Sequence, residues 1–373
     1  MSPSYRIVFY VSGHGFGHAS RAFEVVRAVL RARPDAHIVV KSSAPLHLFT
    51  EALDGRCEFV ALQCDAGVVQ VDSLAVDTAE TIRQAIEFQR QVPALAARES
   101  EYLRASGASV VVGDIPPLAI AAAHLAGVPS IAIGNFTWDW IYEGYRDPRV
   151  PELLAQIRDV YQNASAVLRL PMAGGFAGLD AIARDIPFVA RQSTRTQDEV
   201  RTALGVGLRA AARPLALMAF GGSGVAGMNV EALSGLKDYI IATTDSRLAG
   251  GAGNRGTSLL RISDQQMSDA NLSFPDLVRA ADVVVAKPGY GIISEAIANE
   301  SALLYTSRGD FIEYDVLVRE MPRYLRTRFI EQDDLLKGNW KDALDNLMRQ
   351  APPPEKPELN GASVAAADIM RQG

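Results

Sequence analysis

The sequence has little cysteine, few histidines and no marked excess of either charge. Its 373 residues include two cysteines, Cys57 and Cys64, and no C-x-x-C pair. Two thiols cannot build a disulfide framework, and neither a metal nor a redox role is expected of them; they read as ordinary thiols of a reducing compartment. Lysine plus arginine is 37 and aspartate plus glutamate is 43, a net charge of −6. A mildly acidic chain lacks the basic surface of a general nucleic-acid binder, so no nucleic-acid partner is expected. Long hydrophobic runs are also missing. The longest, Leu118–Ile133, is broken by His124, Gly127 and Pro129, and reads as helix, turn and strand instead of an integral membrane span. The run Ile7–Val11 is too short for a signal-peptide core and no small-residue cleavage site follows it, which makes the cytoplasm the expected location. An apolar fraction of 48% with 21% charged residues excludes a disordered chain or a coiled coil.

Strand and helix patterns alternate along most of the chain. A first series of strand candidates runs Ile7–Val11, His37–Lys41, Cys57–Leu62, Ser109–Val112, Ser130–Ile133 and Ala166–Leu170. A second runs Leu215–Phe220, Tyr239–Thr243, Ser258–Ile262, Val283–Ala286 and Ala302–Thr306. Unbroken apolar runs such as Val110–Val112 and Val283–Val285 imply burial on both faces, as in parallel sheets covered by helices. Amphipathic stretches such as Ser20–Ala32 and Thr78–Arg104 lie between them. This alternation predicts a doubly wound α/β architecture. The polar, strand-poor segment near Arg191 divides the series. The expected organisation is a first Rossmann-like domain over 1–190, a linker over 191–212, a second Rossmann-like domain over 213–345, and a tail over 346–373 that ends in a short helix near Ala362–Met370. Gly250–Gly256 reads as a flexible hairpin or loop, because no helix start follows it to make it a phosphate site.

Candidate chemistry gathers after particular strands. The first strand leads into Ser12-Gly13-His14-Gly15-Phe16-Gly17-His18-Ala19-Ser20-Arg21, a glycine turn opening a helix. Ligands of doubly wound folds bind at that edge. The spacing is not G-x-G-x-x-G, and Val40-Lys41-Ser42-Ser43 puts no acid after the second strand, which disfavours a dinucleotide site. Two of the five histidines lie in this turn. The positive end of the helix dipole disfavours imidazolium there, which suits a base that deprotonates a hydroxyl. The alternative is a capping or packed histidine, for His14 more than for His18. Asp114, in Gly113-Asp114-Ile115-Pro116-Pro117, follows the fourth strand at the same sheet edge. It could orient a histidine, or cap the helix that begins at the prolines, or both. The aromatic segment Asn135–Tyr142 holds two of the three tryptophans, with Asp139 a further polar candidate. It would form either the wall of an acceptor pocket or a buried corner.

In the second half, Phe220-Gly221-Gly222-Ser223-Gly224 follows a strand but lacks the lysine of a P-loop, so a nucleoside-triphosphatase is excluded. Lys287-Pro288-Gly289-Tyr290-Gly291 leads from strand into helix. Glycine N–H groups at a helix start can cradle a diphosphate. Glu295, one turn into that helix, could accept hydrogen bonds from ribose hydroxyls, or could be a solvated residue complementing the dipole.

Together these residues resemble the GT-B glycosyltransferases over nearly the whole chain. Tyr10–Arg21, Cys64–Asp72, Asn135–Tyr142 and Lys287–Glu295 are similar to the glycosyltransferase-like region of plant L-arabinokinases. Gly221–Gly224 and Gly289–Glu295 resemble the peptidoglycan N-acetylglucosaminyltransferases, and the G-x-G-H-x-x-R pattern Gly15–Arg21 resembles a UDP-sugar hydrolase of pseudaminic acid synthesis. The resemblance implies two Rossmann-like domains facing a central cleft, a nucleotide-sugar donor (UDP-linked in the first instance) and a hydroxyl acceptor. It implies that His18 is the acceptor base and Asp114 its carboxylate partner. It places Gly17, Gly222, Ser223, Lys287, Gly289, Tyr290 and Gly291 about the donor diphosphate, Glu295 on the ribose, Ile262 and Ser263 at the base, and Arg308, Asp310 and Glu313 at the donor sugar. His14, Phe16, Trp138 and Asp139 are assigned to the acceptor side. Retaining members carry a second glutamate eight positions before the ribose glutamate; here that position is Lys287, so inversion is implied. No metal and no other cofactor is expected. The kinase half of the arabinokinases has no counterpart in this sequence, so sugar-kinase activity is not implied. A nucleotide-sugar hydrolase and a non-catalytic nucleotide-sugar-binding module are the alternatives, and nothing in the sequence speaks to oligomeric state.

Overall fold

The computed structural model describes residues 5–53, 55–71, 74–206, 213–221, 225, 227–248 and 258–373. The first half forms seven parallel strands: β1 (Arg6–Val11), β2 (His37–Ser42), β3 (Cys57–Ala61), β4 (Ala108–Asp114), β5 (Ser130–Phe136), β6 (Ala166–Gly174) and β7 (Ala183–Asp185). Their spatial order is β3-β2-β1-β4-β5-β6-β7. The second half forms β8 (Leu215–Met218), β9 (Ile240–Thr243), β10 (Leu259–Arg261), β11 (Val283–Ala286), β12 (Ala302–Tyr305) and β13 (Thr327–Phe329), in the order β10-β9-β8-β11-β12-β13. Every strand pair in both sheets is parallel. The apolar runs are explained by this: Val283, Val284, Val285 and Ala286 are all fully buried, as strands covered by helices on both faces must be.

The same rule places the site loops. In an order that runs 3-2-1-4, the chain leaves the first and fourth strands in opposite directions, opening a crevice at their carboxyl ends. In the first domain that point lies between β1 and β4, where Val11 pairs with Asp114 and the Ser12 N–H donates to the Asp114 carbonyl at 2.9 Å. In the second it lies between β8 and β11, where Met218 pairs with Val285.

The helix after β1 spans Phe16–Ala32, four residues ahead of the expected start. Gly15 is its N-cap with φ 73°, a left-handed conformation that glycine adopts without Cβ strain. The tail helix Gly361–Gln372 does not extend the second domain. It returns to the first, packing along Phe16–Ala32, with the Tyr5 hydroxyl donating to the Ile369 carbonyl at 3.0 Å. Helix Thr78–Ser106 covers the other face of the first sheet. Cys57 and Cys64 are free thiols. No described helix is long and apolar enough to cross a membrane.

Candidate active site at the domain seam

His18, in the first turn of its helix, and Asp114, at the end of β4, lie 96 residues apart in the chain and meet because β1 and β4 are neighbours. His18 Nδ1 is 2.8 Å from Asp114 Oδ1. The capping alternative for Asp114 is not realised: the following helix, Pro117–Ala126, has Pro116 at its N-cap. Arg21, one turn beyond His18, grips the same carboxylate from Nε to Oδ2 at 2.8 Å and from Nη2 to Oδ1 at 2.5 Å. All three side chains are buried. Burial alone would raise the Asp114 carboxyl, but the Arg21 charge and the hydrogen bonds from Arg21 and His18 outweigh it and hold it below the ordinary carboxylate value. An ionised carboxylate this close to Nδ1 places a proton on that nitrogen, so in the neutral ring Nε2 carries the lone pair.

His14 is a different kind of histidine. Its Nδ1 accepts from the Val68 N–H at 3.3 Å, and its ring meets Trp138 edge-on. Burial, with the charges of His18, Arg308 and Lys287, drives it down to about 3, so it is neutral and packed. Trp138 is also buried. It stacks on His18 at 6.4 Å and on Tyr142 at 5.5 Å, and its indole N–H donates to Asp65 Oδ2 at 2.9 Å. The buried-corner alternative for this segment therefore holds, with the corner forming one side of the histidine site. Asp65 also accepts from the Ser12 hydroxyl at 3.1 Å, and burial raises its carboxyl to about 6. Phe16 is exposed at the start of its helix. Asp139 is turned to a different partner, accepting from Arg158 Nε at 2.8 Å.

On the other side of the seam, Gly289 is the N-cap of helix Tyr290–Ala298. Gly291 meets Gly17 of the first domain so closely that a Cβ on Gly291 would lie 3.2 Å from Gly17 Cα. Two helix N-termini thus face each other across a glycine pair. Tyr290 lies under the Arg21 guanidinium, 5.5 Å from its ring centre, and among the described residues its buried hydroxyl has no hydrogen-bond partner. Glu295 is not a solvated first-turn residue. It is buried and accepts from Arg191 Nε of the interdomain segment at 2.5 Å. Burial raises its carboxyl, and Arg191 offsets that only in part. A cleft lined by Gly17, Ser20, Arg21, Arg191, Tyr290 and Glu295 joins the two sides. Arg308 Nη1 donates to Glu313 Oε2 at 3.1 Å, and Glu313 Oε1 accepts from Asn135 Nδ2 of the first domain at 2.8 Å. Asp310 is exposed nearby. Ile262 is buried, and Ser263 caps helix Asp264–Asp269 through its side chain. Gly222, Ser223 and the Gly250–Gly256 loop lie outside the described residues.

Sequence reasoning did not single out Arg21, Asn135, Asp65 or Arg191. Arg21 carried a usable signal, since residues three apart share a helix face. Arg191 carried none, because nothing in a polar linker indicates which helix it will reach.

Two parallel sheets of this order facing each other across a cleft, with the tail helix crossing back, define the GT-B fold, and the chain has it. Solved structures agree. The chain matches the kitacinnamycin glycotransferase with a TM-score of 0.58 at 16% identity, covering 99% of this chain and 95% of that one. It matches SnogD from Streptomyces nogalater at 0.56 and 17%, covering 99% and 100%. It matches MurG from Acinetobacter baumannii at 0.56 and 13%, again covering 99% and 100%. In sequence, the chain is similar to L-arabinokinase from Arabidopsis thaliana, 31% identical over 366 residues that make up 96% of this chain. The chain spans about a third of that relative's length, 33%. No protein-family model matches the chain.

Proposed function

We propose that the protein is an inverting, metal-independent glycosyltransferase that moves a sugar from a UDP-linked donor to an acceptor hydroxyl, with His18 as the base. The observation that carries this reading is the 2.8 Å contact between His18 Nδ1 and Asp114, which leaves Nε2 as the proton acceptor. The acceptor hydroxyl gives its proton to Nε2. Its oxygen forms a bond to the anomeric carbon as the bond from that carbon to the diphosphate breaks, and UDP departs with the electron pair. Asp114 stabilises the imidazolium that results.

The donor side supports the same reading. The N–H groups at Gly289–Gly291 and the start of helix Tyr290–Ala298 suit a departing diphosphate, and Lys287 adds a positive charge. The unpartnered Tyr290 hydroxyl lies at that helix start. Glu295 serves the ribose once Arg191 yields its place. Ile262 and Ser263 serve the base, and Arg308, Asp310 and Glu313 the sugar. His14, Phe16 and Trp138 border the acceptor. Asp139 is the weakest of these assignments, because Arg158 already holds it. The GT-B neighbours and the arabinokinase relative support the class, and the placement of the residues supports the roles.

A thermal-shift screen of UDP, GDP, dTDP, CMP and their common sugar conjugates tests the donor. A ligand that binds only the folded state raises the melting temperature by mass action. The expected result is a shift with UDP and a larger one with one UDP-sugar. No shift with any nucleotide would overturn the reading. Release of UDP and free sugar at the full rate without any acceptor would turn it into that of a hydrolase.

A further inference from the structure

One hydrogen-bonded chain crosses the whole seam. From His18 it passes through Asp114 to Arg21, whose Nη1 donates to Asn135 Oδ1 at 3.1 Å. Asn135 Nδ2 donates to Glu313 Oε1 at 2.8 Å, and Glu313 Oε2 accepts from Arg308 at 3.1 Å. Arg21, Asp114, Asn135, Glu313 and Arg308 are each less than a tenth exposed. Both ends of the Asn135 amide are assigned by their partners: a flipped amide would set N–H groups against Arg21 and an oxygen against a carboxylate. Asn135 is therefore a directional link between two buried ion pairs, one in each domain.

Arg21 has an unusual position in this chain. Its Nη2 lies 3.2 Å from His18 Nδ1 while it grips the carboxylate that orients the same ring. Any movement of the guanidinium changes how Asp114 meets His18. Besides Asp114 and His18, the guanidinium meets Tyr290 through its ring face and Asn135 through a hydrogen bond, and Asn135 is in turn hydrogen-bonded by the opposite domain.

We infer that Arg21 and Asn135 are positioning residues that assemble the His18–Asp114 pair only when Glu313 of the donor domain closes on Asn135. The base would thus be set by domain closure, and an open molecule would be slow to activate water or acceptor. This rests on reading His18 as the base.

The test follows the His18 ring itself. In protein labelled at histidine, the His18 resonance is identified by its loss in His18→Gln. Glu313→Gln is then made in the wild-type and Asn135→Ala backgrounds. If the chain carries the coupling, Glu313→Gln moves the His18 resonance in the wild type and fails to move it in Asn135→Ala. An equal displacement in both backgrounds would mean an influence through space, and none in either would mean no coupling; either result overturns the inference. In donor turnover, Asn135→Ala should lower kcat about 2- to 30-fold and leave UDP affinity within about twofold. Asn135→Gln, which keeps both amide ends, should restore part of the loss. If His18→Ala keeps full turnover, the base assignment fails, and the resonance experiment still decides whether the domains are coupled.

Discussion

The two sheets share one strand order, which the first extends by a seventh strand, and open their crevices at the same place in it, between the first and fourth strands of each domain. They furnish that edge differently. In the first domain it is built from ionisable side chains: His18, Arg21 and Asp114 are 6%, 5% and 3% exposed and satisfy one another. In the second it is built from backbone: Gly289 and Gly291 at a helix start, with the Glu295 carboxylate held, among the described residues, by a linker arginine. The difference fits the tasks proposed for each. Removing a proton requires one lone pair in a fixed place, which demands a side chain held by others. Holding a diphosphate requires several N–H groups at close range, which demands that side chains be absent.

His18→Ala removes the defining group of the first edge, and its effect should be the largest. Turnover measured by UDP release should fall about 100- to 10,000-fold. Asp114→Asn comes next and separates the edges by stability. It leaves Arg21 buried without its counter-charge and should cost about 3–5 kcal/mol in urea unfolding. Glu295→Gln should cost less, because the Arg191 side chain is 25% exposed and water can take the place of the lost partner. Equal costs would erase the distinction between a closed edge and a half-open one.

Asp65, on the first edge, has a carboxyl raised from 3.8 to about 6. The folded state therefore binds a proton that the unfolded state has released, and stability falls as pH rises through this window. The loss between pH 4 and pH 7 should be about 2 kcal/mol, and Asp65→Asn should remove it. Glu295 on the second edge is raised too, with the same sign. Asp114 is lowered, so its contribution is present above the ordinary carboxylate range and is lost only as pH falls below it. Urea unfolding at pH 4 and pH 7 reads the two raised groups, and a further measurement at pH 2 reads Asp114. The smallest effect is expected where the edges touch. A methyl at Gly291 would lie 3.2 Å from Gly17 Cα, a backbone atom that cannot swing aside, and Gly291→Ala should lower stability by about 1–3 kcal/mol.

Much of this was legible in the sequence. The unbroken valine runs declared both parallel sheets, and the glycine turns marked which strand ends carry chemistry. The β7 and β13 strands were not legible. Each is three residues long and partly exposed, so neither produces an apolar run. The helix start was read late because Gly15, Gly17 and His18 have poor helix propensity, and a left-handed glycine cap leaves no side-chain signature. The meeting of His18 and Asp114 follows from strand order alone. The Arg191–Glu295 and Asn135–Glu313 contacts do not, because they depend on how the two sheets and their helices pack against each other.

The division of labour between the edges is the central claim, and calorimetric titration of UDP tests it most directly. Wild type, His18→Ala and Glu295→Ala are compared. The account predicts that His18→Ala binds UDP as the wild type does, while Glu295→Ala, losing charged hydrogen bonds to the ribose, binds about 10- to 150-fold more weakly. Loss of UDP binding in His18→Ala with retention in Glu295→Ala would contradict it.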